Sequence, residues 1–150
     1  MNEKNVFGQI NFWRDIMIQL LKESPKESLY KIPDGFSNNL IWNAGHVLVT
    51  YDEYISKLTG EKKQLKKVYY HCFTTGTSPV DWVEDPPSAQ SIIQYLEEQP
   101  NVMEKLLAGR LQEKLSQPLA YEQTLEELLC FLISHECYHL GTMKSISRVV

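Results

Sequence analysis

Ser134-His-Glu-Cys-Tyr-His-Leu-Gly141, near the end of the 150-residue chain, decides how the rest is read. His135 and His139 stand four residues apart, and at 3.6 residues per α-helical turn their side chains diverge by only about 40°. Two imidazoles one turn apart on one face can share a metal ion. At about 100° per residue, Leu128, Leu132 and Ile146 fall within roughly 60° of that direction, so the apolar stripe and the histidine pair coincide. The pair therefore faces the core. Thr124-Leu-Glu-Glu127 has the S/T-x-x-E form of a capping box, which satisfies orphan N–H groups at a helix start and predicts a helix over about 124–148. A buried imidazole without partners for both ring nitrogens costs about 1–3 kcal/mol. Taken alone, the pair fits hydrogen-bonded core histidines or a shared metal equally well.

Working outward, the chain is the size of one ordinary domain, and a single domain over 1–150 is expected. Its 43% hydrophobic and 23% charged residues are the balance of a globular protein. A net charge of -4 and a pI near 5.6 offer no general attraction for a phosphate backbone, so nucleic acid is not an expected partner. Lys62, Lys63, Lys66 and Lys67 form the one basic cluster, read as a solvated loop or helix end. No apolar run approaches the length of a membrane span, and the polar N-terminus does not resemble a secretory signal, so a cytoplasmic location without membrane attachment is the expectation. Cys72, Cys130 and Cys137 are odd in number and lack C-x-x-C spacing, which predicts reduced thiols.

Val6, Ile10, Trp13, Met17, Leu20 and Leu21 recur at helical spacing up to Pro25, predicting a first helix over about 3–23. Ser37 and Asn38 are good N-caps for a second helix over about 38–59, stopped by Gly60. On it, His46 shares a polar stripe with Asn39, Asn43, Thr50 and Glu53, which either meets solvent or lines a wet pocket. Residues 61–87, rich in breakers, read as a long crossover able to roof a pocket, with His71 and Trp82 packed over the bundle end. A third helical pattern runs from Ser88 through Ile92, Leu96, Met103, Leu107 and Leu111 until Pro118. Pro100 within it predicts a kink or two abutting helices. Four long helices with no convincing strand predict an all-α four-helix bundle, with the long crossover between helices 2 and 3. Bundles build metal sites from facing helices, so a further ligand on the second helix is geometrically natural.

His135-Glu136-Cys137-Tyr138-His139 also matches H-E-x-x-H, the zinc metalloprotease signature whose glutamate is the general base. That reading needs a further ligand downstream. The 11 residues after His139 contain neither His nor Glu, and substrate-binding strands are missing.

Two motifs together carry a resemblance. Asn39-Leu-Ile-Trp-Asn-Ala-Gly-His46 and Ser134-His-Glu-Cys-Tyr-His-Leu-Gly141 are similar to the second-helix and last-helix motifs of the DinB-like family of metal-binding four-helix bundles. The order of helices and the crossover resemble it too, so the likeness covers nearly the whole chain. The resemblance implies that His46, His135 and His139 form a metal-binding triad for one divalent ion, zinc or nickel first, iron or manganese next. It implies a metal-dependent enzyme, hydrolase or thiol S-transferase, acting on a small molecule, with a low-molecular-weight thiol as candidate partner and a homodimer as assembly. Three imidazoles leave positions open for water or substrate, the layout of a catalytic metal site. Glu53, two turns after His46 on the same face, is the candidate catalytic acid/base, while Asn43 and Thr50 are candidates to bind substrate or water. The alternative is a non-catalytic bundle that holds a metal or ligand.

Overall fold

The computed structural model describes residues 1–150. In chain order the elements are α1 (Glu3–Glu23), α2 (Lys26–Tyr30), α3 (Leu40–Thr59), α4 (Lys67–Phe73), a 3-10 turn at Pro79–Asp81, α5 (Ala89–Leu107), β1 (Lys114–Leu119), β2 (Glu122–Thr124) and α6 (Leu125–Ser147). The four long helices close a ring in which α1 packs on α5 and α6, and α3 packs on the same two. One continuous core fills it, with Val6, Ile10 and Met17 from α1, Leu40, Val47 and Leu48 from α3, Ile92 and Leu96 from α5, and Leu128, Leu132 and Ile146 from α6. The chain is an all-α bundle with a minimal sheet.

Local chemistry sets most boundaries. Asn2 caps α1 by accepting from the Asn5 N–H, and both arms of the capping box form at α6, between Thr124 and Glu127. The cap of α3 is Asn39, whose side chain accepts from the Trp42 N–H at 2.8 Å, one residue later than the sequence suggests. Gly60 ends α3 at φ 82°, a left-handed conformation that favours glycine.

Around α5 the helix runs unbroken through Pro100, which removes the alternative of two abutting helices, and it stops at Leu107, well before the expected end at Pro118. Gly109, at φ 78°, takes the chain out of the helix, and Leu111 stays buried although it is no longer helical. The apolar period therefore outruns the helix, because burial persists into the turn that follows. Residues 114–124 then form an antiparallel hairpin that the sequence reading did not anticipate. Its first strand, KLSQPL, has one buried position and a proline, so it shows no alternation to read. Ala120, at φ 47° in the two-residue turn, shows none of the glycine or asparagine expected there.

The crossover carries α4 and is strapped to α3. The buried Asp52 carboxylate accepts from the Gln64 N–H at 3.0 Å, from the Leu65 N–H at 3.2 Å and from the Tyr70 hydroxyl. The Phe73 ring lies against Gly45 so closely that a Cβ there would sit 2.4 Å from it. Trp82 packs edge-on against Phe73 and donates to the Cys72 carbonyl at 3.0 Å, as a residue packed over the bundle end should. His71 does not share that role: it is exposed, on the outer side of a helix that buries Tyr69, Cys72 and Phe73.

Candidate metal centre

His46 from α3 meets His135 and His139 from α6 inside the bundle, and one ring nitrogen from each lies within 4.8 Å of the others. The polar stripe foreseen on α3 is buried: Asn39, Asn43, His46 and Thr50 are all sequestered, and so is His139, while His135 is half-buried. Trp42 stacks flat on His46, with centroids 4.6 Å apart and planes 9° from parallel.

Second contacts decide where the protons sit. His46 Nδ1 is 2.8 Å from the Phe73 carbonyl, which can only accept, so Nδ1 carries the proton and Nε2 presents a lone pair. Asn43 Nδ2 donates to Asn38 Oδ1 and to the Asn39 carbonyl, which turns Asn43 Oδ1 towards His139 Nδ1 at 2.8 Å. That fixes the same tautomer on His139. Gly45 enters here too, since the absence of a side chain lets α4 come close enough for Phe73 to hold His46.

His135 breaks the pattern. Its Nε2 is 3.2 Å from His46 Nε2, and its Nδ1 is buried without a partner. A proton on Nε2 lets it donate to His46 and leaves Nδ1 unpaired, whereas a proton on Nδ1 strands a donor and sets two lone pairs face to face. Thr50 Oγ1, 3.4 Å from His46 Nε2, is too distant to be a strong donor. Two Zn–N bonds of about 2.0–2.1 Å in a tetrahedral site span about 3.3 Å, so one edge of the nitrogen triangle already has the spacing an ion would impose.

Electrostatics supply the right protonation state. Burial lowers the His46 pKa, burial and then the neighbouring His46 hold His135 at about 4, and burial and then His135 and His46 hold His139 at about 3. Near neutral pH all three rings are uncharged ligands. Three neutral imidazoles with converging lone pairs and two fixed Nδ1 protons fit a divalent ion, so the group could hold one.

Glu136 cannot play the protease base. It is fully buried and its Oε1 accepts from Arg14 Nε at 2.8 Å, on a flank of α6 turned away from the histidines. Tyr138, on the other flank, is largely exposed. Glu53 stands at the rim, where its carboxylate accepts from Thr74 Oγ1 at 2.9 Å and lies 3.9 Å from Lys63 Nζ. Thr74 follows Phe73 directly, so Glu53 braces the strap that holds His46. One cleft of about 310 Å³ reaches the centre and includes Trp42, Asn43, Tyr138 and His139. Another of about 430 Å³ includes Glu53, Lys57, Lys63 and Thr74 and none of the three histidines. A separate cavity of about 240 Å³ between α3 and α5 touches none of the three histidines.

Sequence reasoning missed Arg14, Phe73 and Asp52. Arg14 on the apolar face of α1 was a readable signal, since a buried arginine requires a buried acceptor. The part of Phe73 is played by its backbone carbonyl, which no side-chain pattern announces.

The fold resembles the crystal structure of a conserved protein from Enterococcus faecalis, with a TM-score of 0.73 at 15% identity over 100% of this chain and 98% of that one. No curated protein matches the sequence. The family profile of the DinB superfamily matches residues 9–143, and the chain belongs to that superfamily.

Proposed function

We propose that the protein binds one divalent metal ion through His46, His135 and His139 and acts as a metal-dependent enzyme on a small molecule, as a thiol S-transferase or a hydrolase. The observation that carries this reading is the unequal pairing within the cluster. Two rings are locked by their Nδ1 protons, which leaves their Nε2 lone pairs free, and His135 sets its Nε2 3.2 Å from that of His46 while its Nδ1 has no partner. A bound divalent ion would supply a Lewis acid that lowers the pKa of water or keeps a thiol as thiolate. Zinc or nickel suits three imidazoles best, with iron or manganese next.

The remaining roles belong to the chain. The Phe73 carbonyl and Asn43 orient the ligating rings, and Trp42 covers the His46 face. Glu53, at the rim and hydrogen-bonded to Thr74, takes or gives the proton that leaves or enters the substrate. A cytoplasmic enzyme working on a low-molecular-weight thiol, as a homodimer, completes the proposal.

The test is a thiol titration of the cobalt-substituted protein. A sulfur-to-cobalt charge-transfer band that saturates with added thiol, together with loss of thiol turnover in Glu53→Gln, supports the enzyme. A coordination sphere that excludes both thiol and exchangeable water would make the bundle a metal-holding protein without catalysis.

A further inference from the structure

The most heavily charged group in the interior is not part of the histidine cluster. Arg14 on α1 is fully buried, and α5 and α6 supply its acceptors. Its Nε and Nη2 reach the two Glu136 oxygens at 2.8 and 3.4 Å, and its Nη1 reaches Gln99 Oε1 at 3.0 Å and the Leu96 carbonyl at 3.4 Å. The Tyr51 ring lies 5.2 Å from the guanidinium carbon. Gln99 turns its other end to the Leu48 carbonyl at 3.0 Å.

Pro100 explains one of these acceptors. Within a helix the carbonyl of residue 96 would accept from the N–H of residue 100, and proline has none. The carbonyl freed by Pro100 is the one Arg14 takes. A helix defect on α5 and a buried cation on α1 therefore complete each other, and Gln99 carries the link to α3. The fourth helix enters through Glu136, which lies in sequence between His135 and His139.

That position matters because Glu136 has a single charged partner, held through a short 2.8 Å bond to Oε1. A rotation of α6 about its axis, or a slide along it, would break the Arg14 pair before it disturbed the leucines, which tolerate shifts between similar packings. Buried charge replaced by apolar residues is often neutral or stabilising, so the pair is poor evidence for stability, while its best-attested use is to fix register.

We propose, resting on the metal-binding reading above, that the Arg14–Glu136–Gln99 network is a positioning device for the metal centre: it sets the rotation and height of α6, and thereby aims His135 and His139 at His46. Arg14, Glu136 and Gln99 are positioning residues and touch no ligand.

The experiment replaces the pair with apolar residues of similar length, Arg14→Met with Glu136→Leu, and compares three readouts with wild type. These are thermal unfolding of the metal-free protein, zinc affinity by competition with a chelating dye, and the visible spectrum of the cobalt form. Gln99→Met, which leaves the ion pair intact, is measured alongside and keeps the test open if the double variant does not fold. The expected result is metal-free protein that unfolds near the wild-type temperature, a roughly 10–100-fold weaker zinc affinity, as loss of outer-shell support produces elsewhere, and altered cobalt bands. Gln99→Met should show the same changes to a smaller degree. Wild-type affinity and spectrum in every folded variant would overturn the positioning role. A wild-type protein that takes up no metal would instead overturn the reading beneath it.

Discussion

Two polar assemblies are buried on neighbouring flanks of α6, and they are completed in opposite ways. Arg14 on α1 and Glu136 on α6 find each other, and α5 adds Gln99 and the Leu96 carbonyl freed by Pro100. In the histidine cluster His46 and His139 have their Nδ1 contacts filled, while His135 sets its Nε2 against His46 Nε2 and keeps its Nδ1 unpaired. Buried polar groups in folded proteins are almost always satisfied. The charged pair is matched within the protein, with the hydroxyl of the neighbouring Tyr51 left buried without a partner, whereas in the histidine cluster a ring nitrogen itself is left over.

The comparison breaks most visibly at Glu136. Glu136→Ala leaves the Arg14 cation buried and unpaired, and chemical denaturation should show a loss of about 3–5 kcal/mol. Removing a histidine should behave differently. His135→Leu discards an already unpaired nitrogen, so the metal-free protein should lose little or gain stability in the same assay, while its metal affinity collapses.

Gly45→Ala comes next. Its new methyl would collide with the Phe73 ring, and overpacking of this kind costs about 1–3 kcal/mol. Because Phe73 must retreat, its carbonyl loses His46, and metal affinity should fall together with stability. A change in stability alone would show that the strap does not position the ring.

Asn43→Leu acts on the cluster only through His139 Nδ1. Calorimetric titration should show zinc binding weakened by about 10–100-fold, with Asn43→Asp, which keeps the acceptor, retaining most of it.

The last comparison is the effect of pH on the metal-free protein. His135 and His139 have folded pKa values of about 4 and 3, below the ordinary value of 6.5 that unfolded histidines show. Between pH 6.5 and those values the unfolded chain binds more protons, so stability is full above pH 6.5 and declines as pH falls towards 4 and then 3. Histidine-to-leucine variants should flatten that decline in pH-dependent melting curves. An unchanged slope would mean that the rings are not neutral in the folded state.

The sequence made the bundle legible because its helices announce themselves. The capping box at Thr124, the asparagines before α3 and the stop at Gly60 are local signals, and each falls within a residue or so of its place in the structure. The histidine pair was legible for the same reason, through a spacing of four. What stayed hidden is non-local. The hairpin at 114–124 pairs two short polar strands whose partners are only each other. The end of α5 at Leu107 is masked by Leu111, which stays buried outside the helix. Bringing His46 to His135 and His139 depends on the docking of α3 against α6, and the sequence alone supplied it only through the likeness of two motifs to a family. The Phe73 carbonyl, which fixes the His46 tautomer, carries no side-chain signature at all.

The central claim is that the three histidines form one metal site. Bound-metal stoichiometry by elemental analysis tests it most directly, comparing wild type with His46→Ala, His135→Ala and His139→Ala after reconstitution. The account predicts about one divalent ion per wild-type chain and loss of that ion in each variant, His46→Ala included. Metal retained by His46→Ala, or no metal in the reconstituted wild type, would contradict it.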